Sequence, residues 1–185
     1  MKTGLATLSG EGASADCIGL VQPLKFIFVG RGEREFMRAV LQRVTHARVL
    51  VGGTVCGEIG PGLVVLVAVG RGDAAATAVS MAEKIVNLRI FSDEQGKLNR
   101  SVLDTGGAIL AVSQFTLYGD ARGQRRPSFI QAAAPEAGKA FYDEFVAALR
   151  GHVVRVETGV FQAHMSVELT NDGPVTILLD SDKTF

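Results

Sequence analysis

The chain has 185 residues, of which 47% are hydrophobic, and its 19 Lys plus Arg residues balance its 19 Asp plus Glu residues. This length suggests one domain, or one domain with an appendage, and the hydrophobic fraction is sufficient for a real core. The zero net charge excludes a broad cationic field, so charge alone does not indicate nucleic-acid binding. A protein that touches only one end of an RNA needs no such field.

The cysteine content and the length of the apolar runs indicate the cellular compartment of the protein. Cys17 and Cys56 are too few for a disulfide framework or a cysteine-based metal site, which favours a reducing environment. No apolar run reaches the length of a membrane span. The best signal-peptide candidate, residues 18–30, is interrupted by Pro23 and Lys25 and lacks a basic start. We therefore expect a soluble, cytoplasmic protein.

Residues 1–36 differ from the rest of the chain. The first 17 residues are rich in Gly, Ser, Ala and Thr without any period, which is typical of a poorly ordered extension. A strongly patterned domain starts at Met37 and is predicted over residues 37–185. The leader is then either a genuine extension or the result of a misassigned start, with translation beginning at Met37.

The patterned domain opens with four strand signals, over residues 37–44, 47–53, 54–60 and 62–70. Gly52-Gly53 before the third is a two-residue hairpin signal. The fourth is continuously apolar, as in a strand buried on both faces. We expect Cys56, in the third strand, to be a small buried thiol.

Helical patterns separate the remaining strands. Asp73 is placed to cap a helix over residues 74–89, and the residues at helical spacing on its predicted apolar face are Val79, Ala82, Ile85, Val86 and Arg89. A second helix is predicted over residues 135–151, with Pro135 in its first turn and Gly151 at its end. Further strands are predicted at residues 90–99 (with a turn), 108–119, 153–159, 165–170 and 175–180. Strands and helices do not alternate strictly, which favours an α+β fold with a mixed or antiparallel sheet.

The usual catalytic patterns are missing from the sequence. His46, His152 and His164 are scattered without metal-ligand spacing, so surface or turn positions are the better interpretation and a zinc hydrolase is not indicated. The sequence has neither a G-x-S-x-G nucleophile elbow nor a phosphate-binding glycine loop.

Three segments leave alternatives open. The basic residues 122–126 form either a solvated loop or a local phosphate contact. The segment SQFTLYGD brings Ser113, Gln114 and Thr116 to the end of a buried strand, which fits a site or a strand that frays into solvent. Gly173-Pro174 stands between two apolar runs, as either a hairpin turn or a backbone site that meets a ligand.

Taken together, these segments resemble the D-aminoacyl-tRNA deacylase family. The resemblance runs from Met37 to about Leu179 and is carried by the segments MRAVLQRV, GEIGPGLVVLVAV, NLRIFSDEQGKLN, VSQFTLYGD, RRPSF and LTNDGPVT. The order and separation of SQFTL and NDGPVT make it specific. Residues 1–36 have no counterpart in the family pattern.

The resemblance implies a fold, an activity and partners. The expected fold is a compact, barrel-like α+β domain with two main helices. The expected enzyme hydrolyses the ester between a D-amino acid and the 3′-terminal adenosine of tRNA, and also acts on glycyl-tRNA mischarged on alanine tRNA. It works as a homodimer whose active sites are each completed by the partner subunit. The implied partner is tRNA, without DNA or membrane, and neither cofactor nor metal is expected.

The resemblance also implies the site. Gln114 and Thr116 match the catalytic positions, and the substrate-binding positions fall on Arg43, Ser113, Phe115, Met165, Asn171, Gly173 and Pro174. In this family the Gly-Pro bond is cis and its carbonyls meet the substrate's ammonium group, so rigid backbone stands where an L side chain would go. Arg43 matches the residue that fixes this loop. Arg125 and Arg126 match a loop that contacts tRNA.

The sequence offers no base beside Thr116, which a hydroxyl nucleophile requires. We therefore favour a mechanism in which backbone N–H groups around Gln114 and Phe115 stabilise the oxyanion and the substrate's 2′-hydroxyl positions water. Gln114 and Thr116 then orient the substrate.

Two departures and two rival functions remain. Val160 stands where the family often has arginine, and His164 stands where an acidic residue is common, so we expect a tuned substrate preference. One rival is a non-catalytic module that binds tRNA ends. The other is a paralogue that removes an L-amino acid from mischarged tRNA through a trans Gly-Pro bond.

Overall fold

The computed structural model describes residues 37–152 and 154–181, and the predicted extension over residues 1–36 lies outside these described residues. The strands are β1 (Arg38–Val51), β2 (Thr54–Ile59), β3 (Gly62–Ala68), β4 (Phe91–Ser92), β5 (Leu98–Arg100), β6 (Ala108–Ser113), β7 (Val156–Thr158) and β8 (Ser166–Asp180). The helices are α1 (Ala75–Val86), α2 (Val102–Thr105), α3 (Pro135–Gly151) and a 3₁₀ turn (Phe115–Tyr118).

The main sheet is mixed and curls toward closure. Its order is β2-β1-β3-β6-β7, and β8 pairs with the other edge of β1. β1 is antiparallel to β2, β3 and β8, whereas β3-β6 and β6-β7 are parallel. β2 approaches β7 at the far end, where Arg155 Nη2 donates to Glu58 O over 3.3 Å and a Cβ on Gly57 would lie 2.7 Å from Thr158 O. The sheet is thus nearly closed into a barrel, as predicted.

Alternation along the strands divides the core between the two faces of the sheet. One face packs against α1 and α3. The buried residues of this layer include Ala39, Leu41, Leu63, Val65, Ile109 and Ala111 from the sheet, and Ile85, Phe145 and Leu149 from the helices. The other face lies inside the curl of the sheet, where a second buried cluster consists of Val44, Ala47, Val49, Ile59, Val64, Leu110 and Val112. This double burial explains why β3 and β6 read as continuous apolar runs.

The strand predictions need two corrections. The two strands predicted over residues 37–53 are one strand, β1, and the two predicted over residues 165–180 are one strand, β8. The Asn-Asp-Gly-Pro segment is therefore a bulge rather than a hairpin turn. Val44 pairs with Asn171 and Gln42 pairs with Thr176, so Arg43 alone faces the four residues 172–175.

The first predicted helix also needs correction. Its N-cap is Ala74, because the Asp73 carboxylate accepts a 2.6 Å hydrogen bond from Gly70 N instead. The helix ends before Arg89, and Val79 is exposed because Ala78 and Met81 occupy the buried face. The second predicted helix is confirmed at both ends.

Two further predictions differ from the structure. The buried strand predicted over residues 108–119 ends at Ser113 and continues as the 3₁₀ turn. Cys56 is exposed rather than buried. None of the helices in the described ranges is both long and apolar enough to cross a membrane.

Candidate active site

A cavity of about 810 Å³ opens where the parallel strands β3 and β6 end. Ala68 and Ser113 are the last residues of these two strands, and both lie in its wall. The other side is formed by the start of α3 and by the segment that leads into β8. Its larger lining side chains are Gln114, Phe115, Phe129, Phe161, Gln162, His164 and Met165.

The structure brings four of the predicted site residues to this cavity, namely Ser113, Gln114, Phe115 and Met165. Thr116 does not line it but is joined to it, because Gln114 Nε2 donates a short hydrogen bond to Thr116 Oγ1. An amide that donates to a hydroxyl oxygen occupies one of its two lone pairs and draws electron density from it, which lowers its nucleophilicity. This contact therefore suits an orienting role for Thr116 better than nucleophilic attack.

Two backbone N–H groups at the start of the 3₁₀ turn make no hydrogen bond with a described residue. The N–H of Gln114 is not one of them, because it donates to Val67 O over 2.8 Å. Within the described residues, the N–H groups of Phe115 and Thr116 have no hydrogen-bond acceptor. The backbone N–H of Gln114 is therefore not free to stabilise an oxyanion. The two free donors are those of Phe115 and Thr116, one residue further along the chain than expected.

An aromatic pair extends the cavity toward solvent. The ring of Phe115 is 57% exposed and meets Phe129 edge to face, with ring centroids 5.1 Å apart. Phe129 also lines the cavity and follows the basic loop, residues 122–126, by three residues. An exposed ring of this kind offers a surface on which a base can stack.

The basic loop contains one paired and two unpaired arginines. Arg122 lies 2.7 Å from Asp120 Oδ2, and its hydrogen bonds hold the pKa of the Asp120 carboxyl well below its usual range. Arg125 and Arg126 are exposed and form no ion pair with another described residue. These two side chains therefore keep their full hydrogen-bonding capacity for an external anion.

The Gly-Pro bulge of β8 forms a second cluster. The Gly173–Pro174 bond is cis, and Gly173 has φ +122. Arg43 is only 9% exposed, donates to Ile90 O over 2.8 Å and places Nε 2.9 Å from Asp172 Oδ2, although that N–H is not aligned for a hydrogen bond. A Cβ on Gly173 would lie 3.0 Å from Arg43 Nη2.

Asn171 closes the bulge from within. Its Oδ1 accepts from Val175 N over 2.9 Å, and its Nδ2 donates to Thr176 Oγ1 over 3.1 Å. The side chain thus shapes the loop, and its amide is already occupied on both sides. This geometry favours a structural role for Asn171 over direct substrate binding.

The two clusters are separate within this chain. Arg43, Asn171, Gly173 and Pro174 are absent from the cavity wall, and so are Arg125 and Arg126. The structure therefore brings together Ser113, Gln114, Phe115 and Met165, but not the residues of the Gly-Pro motif.

Sequence reasoning missed part of the cavity wall. His164, predicted to occupy a surface or turn position, lines the cavity together with Gln162, a non-glycine residue with φ +63. The segment has no period that would predict a wall, and the available signals were the adjacency of His164 to Met165 and its departure from the family pattern. Across residues 37–152 and 154–181, no group of three His, Cys, Asp or Glu side chains is arranged to hold a metal ion.

Comparison with known proteins gives concordant matches. The family described as D-Tyr-tRNA(Tyr) deacylase matches residues 40–180. A D-aminoacyl-tRNA deacylase of Symbiobacterium thermophilum is 61% identical over 149 residues, covering 80% of this chain and 99% of that protein. One from Thermus aquaticus is 56% identical over 147 residues, covering 80% and 97% respectively.

Two solved structures share the fold. A structure titled "c-Myc DNA Unwinding Element Binding Protein" has a TM-score of 0.72 at 42% identity and covers 77% of this chain and 97% of its own. A structure titled as a probable eukaryotic D-amino acid tRNA deacylase has a TM-score of 0.69 at 21% identity, over 78% and 99% of the two chains. The predicted α+β fold class is confirmed, and so is the prediction that the protein is an enzyme. The chain belongs to the D-Tyr-tRNA(Tyr) deacylase family.

Proposed function

We propose that the protein hydrolyses the ester bond between a D-amino acid and the 3′-terminal adenosine of tRNA, releasing free D-amino acid and tRNA in the cytoplasm. The observation that carries this proposal is the cavity at the ends of β3 and β6, whose wall contains the SQFTL residues Ser113, Gln114 and Phe115. Family membership supports the same reaction.

The proposed reaction uses backbone donors and a reactive substrate. Aminoacyl esters are intrinsically reactive, so stabilisation of the developing oxyanion supplies much of what catalysis requires. The unoccupied N–H groups of Phe115 and Thr116 are suited to this role. The substrate's 2′-hydroxyl positions the attacking water, while the linked side chains of Gln114 and Thr116 orient the ester. Water attacks the carbonyl carbon, the bond from that carbon to the ribose oxygen breaks, and the proton that the water loses passes to the leaving ribose oxygen.

The proposed chiral selection lies in the Gly173–Pro174 bulge. Its main-chain carbonyls accept from the substrate's ammonium group, and rigid backbone stands where an L side chain would project. Discrimination by a steric clash requires a loop that does not yield, and the buried Arg43 guanidinium against Gly173 supports such rigidity. Glycine has no side chain to clash, so glycyl-tRNA mischarged on alanine tRNA is a second substrate.

The proposed assembly is a homodimer. Within one chain the bulge does not line the cavity, so a partner subunit that inserts its bulge would complete each site. Arg125 and Arg126 then contact tRNA phosphates or the terminal adenosine from the basic loop, since both are exposed and unpaired among the described residues.

A chiral deacylation assay tests this function. Purified full-length protein is incubated with D-Tyr-tRNA, with L-Tyr-tRNA as matched control, and the remaining ester is measured over time. We expect rapid loss of the D-ester and no loss of the L-ester above the spontaneous rate.

The same assay separates the alternatives. A protein that shifts the mobility of tRNA without hydrolysing either ester would be a module that binds tRNA ends. Preferential hydrolysis of the L-ester would indicate the paralogous L-aminoacyl activity. Either result would overturn the proposed function.

A further inference from the structure

A polar pair stands at the end of the β1–β8 ladder, next to the 3₁₀ turn. Arg38 and Asp180 are directly opposite in register, and Arg38 Nε lies 3.4 Å from Asp180 Oδ2. The Asp180 side chain is completely buried, whereas that of Arg38 is 30% exposed. A buried carboxylate is stable only with a partner, so this pair fixes the guanidinium in place.

The same guanidinium reaches the far end of the 3₁₀ turn. Arg38 Nη1 donates to Leu117 O over 3.1 Å, and its guanidinium carbon lies 4.8 Å from the centre of the Tyr118 ring. Tyr118 is buried, which raises the pKa of its phenol well above the usual range, an effect that Asp73 reinforces and Arg38 opposes. Arg38 therefore meets a neutral ring and a carbonyl oxygen, both of which favour a cation.

A four-residue 3₁₀ turn needs this kind of external anchor. Two hydrogen bonds join it to its flanks, from Leu117 N to Gln114 O over 3.2 Å and from Gly119 N to Thr116 O over 2.9 Å. Such short turns have poor hydrogen-bond geometry and leave their last carbonyls unpaired. A cation on the Leu117 carbonyl satisfies one of them and fixes the orientation of the whole turn.

We infer that Arg38, held by Asp180, is a positioning residue for the deacylation reaction. Arg38 fixes the 3₁₀ turn through its contacts with Leu117 and Tyr118. The fixed turn then directs the N–H groups of Phe115 and Thr116 at the reacting carbonyl. Arg38 itself touches no substrate in this inference. The inference rests on the proposed function, which assigns those two N–H groups to the oxyanion.

Kinetics of Arg38 variants test the inference. Because misplacement of a catalytic group by about 1 Å lowers the rate by roughly 100-fold, Arg38→Met should lower kcat for D-Tyr-tRNA by about 10- to 100-fold. KM should stay within about threefold, since Phe115 is the one residue of the turn that lines the cavity. Arg38→Lys keeps the cation and should recover part of kcat. Asp180→Asn, which leaves the arginine without its anchor, should lower kcat in the same direction.

A matched control lies on the same two strands. Arg48 pairs with Glu168 directly across the ladder, with Nε 2.7 Å from Oε2, but at the opposite end and in a more exposed position. Arg48→Met removes an equivalent cross-strand pair and should leave kcat and KM unchanged. If Arg48→Met lowered kcat as much as Arg38→Met, the loss would come from a weaker β1–β8 ladder in both variants, and the inference would be wrong.

Hydrogen exchange supplies a readout without substrate. In Arg38→Met the amides of Leu117 and Gly119 should exchange at least tenfold faster, while the amides of the β3–β6 ladder keep their protection. Unchanged exchange at both amides, or a kcat within twofold of wild type in the folded variant, overturns the inference. If Arg38→Met does not fold, Asp180→Asn is judged by the same criteria. Failure of wild-type protein in the chiral assay would refute the proposed function and leave the exchange result to decide whether Arg38 anchors the turn.

Discussion

The cavity and the Gly-Pro bulge are built in different ways. The cavity is walled by side chains that can adjust, such as the Met165 thioether and the half-exposed Phe115 ring. The bulge presents main chain, held from behind by the buried Arg43 and closed by the Asn171 side chain. A surface that must tolerate many substrates benefits from adaptable walls, whereas a surface that rejects by steric clash must not yield. The division of labour that we propose follows this physical difference.

The largest effect is expected at the rigid side of this comparison. Gly173→Ala places a Cβ 2.9 Å from Val175 Cγ2 and 3.0 Å from Arg43 Nη2, at a backbone φ of +122 that favours glycine. The strain should lower the free energy of unfolding by about 1–3 kcal/mol. Displacement of the loop should lower kcat/KM for D-Tyr-tRNA by about 100-fold. Urea unfolding and the chiral assay measure the two effects.

Gly53→Ala provides the control for backbone strain. Gly53 also has a positive φ, +83, but a Cβ there would meet no atom within 4 Å, and the residue lies in the β1–β2 turn. This variant should lose stability and keep full activity when folded. If Gly173→Ala behaves in the same way, the bulge has no functional role and the proposed comparison fails.

Local signals predicted the elements whose geometry is local. Gly52-Gly53 predicted a two-residue hairpin, and both glycines have the positive φ that such turns require. Pro135 and Gly151 predicted both ends of α3. In each case the physical cause lies within a few residues of its effect, so the sequence alone was sufficient.

Non-local features were out of reach for the same reason. Asn-Asp-Gly-Pro has the composition of a turn, and only the pairing of β8 with the distant strand β1 makes it a bulge. The engagement of the Gln114 N–H by Val67 depends on the parallel pairing of β3 and β6. His164 joins the cavity because the aperiodic segment after β7 folds over the strand ends, and no residue spacing encodes that path.

A smaller effect is expected in the adaptable wall. A Cβ on Gly159 would lie 2.6 Å from Met165 Sδ, so Gly159→Ala should push the thioether into the cavity rather than displace backbone. Because one methylene in a pocket changes binding by about tenfold, we expect KM for D-Tyr-tRNA to rise by up to roughly that factor. Steady-state kinetics should show kcat nearly unchanged.

Gly60→Ala is the matched control for this substitution. A Cβ on Gly60 would meet no atom within 4 Å, and the residue lies between β2 and β3, outside the cavity wall. Its KM should equal that of wild type. A KM for Gly159→Ala that also equals the wild-type value would show that Met165 does not border the bound substrate.

The smallest effect is expected at Thr116, although its position in the SQFTL segment makes it the obvious nucleophile candidate. Its hydroxyl accepts from the Gln114 amide, and no described residue offers it a base. Thr116→Ala removes this hydroxyl and keeps the backbone N–H that we assign to the oxyanion, so kcat should fall by no more than about fivefold, the effect of losing one neutral hydrogen bond. A hydroxyl nucleophile would behave differently, because its loss removes the covalent step altogether. Single-turnover deacylation of D-Tyr-tRNA distinguishes the two, and a loss of several orders of magnitude in the folded variant would replace the backbone mechanism with attack by Thr116.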